Sequence, residues 1–75
     1  MTDKLPSLKP RQLIRLLKRK GWELDRIRGS HYVMVHPDQH RALPVPVHNR
    51  DLKAGTLGSI LRIAGITREE LRQLL

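Results

Sequence analysis

Between Lys9 and Lys20 the chain carries six basic side chains and no acidic one, while its apolar residues recur with a helical period. At about 100° per residue, Leu13, Ile14, Leu16 and Leu17 fall within about 160° of arc, and Arg11, Arg15, Lys18 and Arg19 occupy the other side. Such a helix needs an apolar surface to lie on and turns a cationic stripe to water. Pro10 suits its first position, Leu8 is placed to staple onto Leu13, and Gly21 supplies a C-terminal stop, so the spacing predicts a helix over about residues 10–20.

The surface it lies on is predicted to be a small sheet. From Trp22 to Ile27 the 3.6 period gives way to alternation, and His31-Tyr32-Val33-Met34-Val35-His36 is rich in strand-preferring residues. After a turn-forming Pro37-Asp38-Gln39-His40, Leu43, Val45 and Val47 alternate as a third strand. Pro44 and Pro46 lack donors on the same side of that strand, which makes it an edge of a three-stranded antiparallel meander with the second strand central. The expected register sets Val33 and Val35 against Val45 and Leu43, and His31 against Val47. Thr56 is the expected N-cap of a second helix, whose Leu57, Ile60, Leu61 and Ala64 share one face and which Gly65 ends. Thr67 to Glu70 has capping-box form and opens a short last helix carrying Leu71 and Leu74. The order is α-β-β-β-α, an α+β fold with two helices on one face of the sheet, the layout of a double-stranded-RNA-binding-like domain.

Length and composition bound what such a unit can do. Seventy-five residues is half of what an ordinary domain of about 150 uses, so the whole chain, 1–75, reads as one domain with no interdomain cleft. Cysteine is absent, which excludes a disulfide scaffold, a thiol nucleophile and cysteine-ligated zinc or iron–sulfur sites, and is in keeping with a reducing cytoplasm. Neither a signal-peptide-like apolar segment nor a run of about 18 apolar residues occurs, so the expectation is a soluble, cytoplasmic protein with no membrane partner. Fifteen Lys and Arg against seven Asp and Glu give +8, which favours a polyanionic partner, nucleic acid first, with an acidic protein as the other class.

Four histidines are the only side chains that ordinarily titrate near neutrality. His36 and His40 flank the turn and read as exposed spectators. His31 follows Gly29 and Ser30 at the mouth of the central strand, just after Arg26 and Arg28. A glycine there admits close approach of a phosphate, Ser30 is a donor for an oxyanion, and an imidazole beside arginines suits phosphodiester cleavage through a 2′-hydroxyl. By itself Gly-Ser-His equally describes a strand-initiating turn with a half-buried histidine. His31, His36 and His40 do not have the spacing of one metal site.

The run Gly29-Ser30-His31 before an alternating strand, then Val45-Pro46-Val47-His48, Gly55-Thr56-Leu57, Ser59-Ile60-Leu61 and Ala64-Gly65-Ile66, resembles the HicA toxins of bacterial type II toxin–antitoxin pairs. Helix 1, with Leu16-Leu17 and Gly21, resembles them too. The resemblance implies a double-stranded-RNA-binding-like mRNA interferase, an endoribonuclease working on mRNA without metal or cofactor and neutralised by a HicB-type antitoxin. The essential histidine of that family maps onto His31. Pro44 and the apolar Val47 depart from the pattern in the third strand.

With the resemblance beside the residues, His31 is the expected general base or acid, and His48 is a candidate second proton carrier. The expected RNA contacts are Arg11, Arg15, Lys18 and Arg19 of the stripe, with Arg28 and Ser30 near the histidine. So few aromatics leave little base stacking, hence little sequence selectivity. The antitoxin is expected to be acidic where it covers the stripe, and to occlude His31. Two other classes share these features: a module that grips double-stranded RNA without cutting it, and a pure protein-interaction domain.

Overall fold

The structure, a computed structural model, describes residues 7–74. The elements run α1 (Pro10–Arg19), β1 (Glu23–Arg28), β2 (His31–Val35), β3 (Leu43–Pro46), α2 (Ala54–Ala64) and α3 (Arg68–Leu74). The predicted α+β architecture is present, with an antiparallel sheet in the order β1-β2-β3 and β2 central.

α1 starts and stops where its residues dictate. The Gln12 side-chain carbonyl accepts from the Lys9 backbone N–H at 3.0 Å, and Leu8 and Leu13, which bracket the helix start, are both buried. At the other end Gly21 has φ 96°, its N–H donates to the Lys18 carbonyl at 3.1 Å, and the Trp22 N–H donates to Leu17 at 2.9 Å. That is a Schellman closure, and it draws Trp22 into the core instead of into the first strand. α2 closes the same way: Gly65 has φ 73°, and the N–H groups of Gly65 and Ile66 donate to Arg62 and Leu61. Its start differs from expectation. The helix begins at Ala54, with Lys53 as an N-cap lacking a side-chain hydrogen bond, and Thr56 lies inside the first turn. A bond from the Leu52 N–H to the Leu8 carbonyl at 2.8 Å fixes the connector, and the Leu57 N–H already finds Lys53 at 2.9 Å, so the coil begins earlier than cap preference alone suggests.

The sheet register also differs from expectation, by one residue. His31 pairs with Pro46, Tyr32 with Val45, Val33 with Pro44 and Met34 with Leu43. Tyr32 and Met34, rather than Val33 and Val35, therefore share a face with Leu43 and Val45 and join Leu13, Leu17, Leu57 and Leu61 in the core. Matching apolar residues across the strands does not by itself fix the register; what fixes it is which side of β2 meets the helices. The helices lie over β3. The opposite face of the sheet carries Arg28, His31 and Pro46 in one row and Arg26, Val33 and Pro44 in the next. The Val47 N–H donates to the Ser30 carbonyl at 2.7 Å, so the odd-numbered donors of β3 point inward and the two prolines stand on its free edge, as predicted.

Candidate active site

Gly29 and Ser30 form the two-residue turn of the β1–β2 hairpin, with Arg28 and His31 as the closing pair. Gly29 has φ 59° and is followed by a residue without positive φ, the sign pattern of a type II′ turn, which calls for glycine at its first central position. A side chain added at Gly29 would meet nothing within 4 Å, so the turn is open to an approaching molecule. The glycine that suggested phosphate access therefore also has a structural duty.

His31 heads β2 and is exposed on the sheet face that the helices leave bare. An open recess of ≈ 450 Å³ is lined there by Arg26, Arg28, His31, Val33, Ala42 and Pro44. Its floor is the buried Val33, and its walls are two guanidinium-bearing side chains and a proline ring. Arg26 also contacts Asp25 at 3.5 Å, an exposed pair of little weight in water. The recess joins a titratable ring to two permanent positive charges on an apolar floor. Such a surface can seat a phosphodiester and take a proton from a neighbouring hydroxyl. In the sequence Arg26 stands only as a neighbour of the Gly-Ser-His motif. The signal that would have assigned it is its cross-strand position beside Val33, which the bulge at Asp25 hides.

Other sequence candidates lie elsewhere. Arg11, Arg15, Lys18 and Arg19 are exposed on the side of α1 turned away from its buried leucines, hence on the far side of the helix layer from His31. Arg19 donates to the Leu74 carbonyl at 3.4 Å, which ties it to the end of α3. His48 is exposed beyond β3 and lines a separate recess with Asn49, Arg50, Asp51, Lys53 and Thr56. Ser30 is exposed in the hairpin turn.

His36 is not the exposed spectator expected. The Asp38 N–H donates to its Nδ1 at 3.0 Å, so its proton sits on Nε2, which faces the Lys20 carbonyl at 3.0 Å. Its ring meets Trp22 edge-on with centroids 5.3 Å apart. It clasps the end of α1 to the end of β2. Among the described residues no three His, Asp or Glu side chains gather as a metal-holding group, and no helix is long and apolar enough to cross a membrane.

No curated protein matches the sequence. The family model described as the HicA toxin of bacterial toxin–antitoxin systems matches residues 10–66, which takes in α1, the sheet, the His31 recess and α2. With that match over most of its length, the chain belongs to the HicA family and is a toxin of a bacterial toxin–antitoxin system.

Proposed function

We propose that the chain is an endoribonuclease that cuts mRNA by 2′-hydroxyl attack, with His31 as the proton-transfer group and a HicB-type antitoxin as its inhibitor. The observation that carries the reading is the recess itself: an exposed imidazole sharing an open sheet face with Arg26 and Arg28. His31 takes the 2′-hydroxyl proton as that oxygen attacks the adjacent phosphorus. Charge grows on the non-bridging oxygens, where the two guanidinium groups are placed to meet it and the Ser30 hydroxyl is a further donor. The imidazolium formed in that step can return its proton to the departing 5′-oxygen. His48, two residues beyond the Pro46 that pairs with His31, lines the neighbouring recess and is the other candidate donor. Nothing in the chemistry calls for a metal, and the compartment is the cytoplasm, where mRNA and antitoxin meet.

Purified wild-type chain and His31→Ala are incubated with RNA in excess chelator, and binding is measured in parallel. The expected result is a loss of cleavage by about 100-fold or more, the scale of a general base, with RNA affinity changed less than about threefold. Cleavage surviving in His31→Ala overturns the assignment of His31. Binding without cleavage by the wild type favours the double-stranded-RNA-binding module.

A further inference from the structure

β3 guards its free edge with two prolines, but β1, the other edge, has none. All six residues of β1 are exposed, and an edge of this kind presents unpaired backbone donors and acceptors. It also carries the two large exposed hydrophobic residues found among the described residues, Leu24 at 39% and Ile27 at 53%. Three positions apart, they would fall on opposite faces of a regular strand. The irregularity between Leu24 and Arg26 puts both on the helix-side face, opposite Met34 and Tyr32. The bulge thus assembles a small apolar patch along the margin that the helices do not cover.

The sequence of β1 says what would cover it. Read against itself antiparallel, Glu-Leu-Asp-Arg-Ile-Arg sets Glu23 opposite Arg28, Leu24 opposite Ile27 and Asp25 opposite Arg26, each pair occurring twice. Every charge meets its opposite and every apolar residue meets the other. The bulged positions of both strands fall together at the centre, so the irregularity costs no residue in the count. We infer that β1 is a self-association edge, on which a second copy of this chain pairs antiparallel about a two-fold axis between Asp25 and Arg26. The product is a six-stranded sheet with both helix layers on one side and both His31 faces on the other. The proposal does not rest on the RNA-cleavage reading, although Arg26 and Arg28 belong to both surfaces.

Six residues a side make a small interface, and each copy carries +8, so the dimer is weak and needs screening. Sedimentation equilibrium of the purified chain from about 10 µM to about 1 mM, in about 0.3 M salt, reads it directly. A monomer–dimer equilibrium is expected within that range. Glu23→Arg, which sets like charges together at both ends, should weaken it at least tenfold, and Glu23→Arg/Arg28→Glu, which restores opposite pairs in reversed order, should recover most of the loss. Ile27→Lys should abolish it. Far-ultraviolet dichroism and melting of each variant report folding, which these exposed positions should leave intact. A chain that stays monomeric to about 1 mM overturns the proposal, whatever other protein pairs with the edge. So does a dimer indifferent to Glu23→Arg and Ile27→Lys.

Discussion

Gly21 and Gly65 perform the same duty at two helix ends with different surroundings, which makes them a matched test. Both have positive φ and both end in a Schellman closure. A Cβ at Gly65 would meet nothing within 4 Å, whereas one at Gly21 would stand 2.8 Å from Nε2 of His36. Gly65→Ala should therefore cost only the backbone strain, ~1 kcal/mol. Gly21→Ala adds the displacement of a ring held by Lys20 and Asp38 and should cost ~3 kcal/mol, read by chemical denaturation. Its sign can be checked with His36→Ala: in that background Gly21→Ala should cost nearer ~1 kcal/mol, since the obstructing ring is gone. Both glycines were legible as helix stops. The histidine behind one of them was not, because its bonds run to backbone atoms 16 residues back in the chain and two residues ahead, and no spacing rule reports those.

α3 is too short to hold its own shape, and what secures it is a capping residue with two jobs. The Glu70 N–H donates to Oγ1 of Thr67 at 3.0 Å, while its carboxylate accepts from Nζ of Lys20 at the end of α1. That hydrogen bond, helped by the charge of Lys20 and the backbone N–H of Thr67, holds Glu70 below its ordinary carboxylate range against a smaller effect of desolvation. A carboxylate lowered in the folded state stabilises the fold above its unfolded value, and that contribution disappears as the pH falls through the lower folded value. Melting temperatures of wild type and Glu70→Gln should accordingly differ most near neutrality and converge in acid. A difference that persists unchanged below about pH 2 would mean the side chain acts by packing alone. The capping box was readable from Thr67 and Glu70, but its partner on α1 is 50 residues away in sequence. The same limit explains the strand register. Alternation shows that a strand has two faces, and Val33 and Val35 look the more suitable for a core. Yet Met34 is fully buried under the helices, and Val33 is buried instead on the bare face, within the arginine-lined recess. A bulge at Asp25 that lets Leu24 and Ile27 share a face has no signature in residue type alone.

At the scale of the whole molecule two of the cationic surfaces bear on the candidate site. One is the outer side of α1, with Arg11, Arg15 and Lys18; the other is the sheet face around His31, with Arg26 and Arg28. With the hydrophobic core between them, RNA seated at His31 as proposed would not reach the stripe at the same time. The two surfaces then contribute differently to binding. Arginines in direct contact release condensed counterions, about 0.7 per phosphate for single-stranded RNA, whereas the stripe acts only through a field screened within about 10 Å at 0.1 M salt. With His31→Ala as a non-cleaving background, Arg26→Ala/Arg28→Ala should lower the slope of log affinity against log salt by about 1.4, and Arg15→Ala/Lys18→Ala by less than about 0.5. The reverse ranking would mean that RNA is held chiefly on the helix layer, and the cutting surface would have to be sought there. The ranking also bears on inhibition. An antitoxin that must silence the sheet face has to cover Arg26 and Arg28, so acidic groups set against that pair, rather than against α1, are the contacts whose removal should release the toxin.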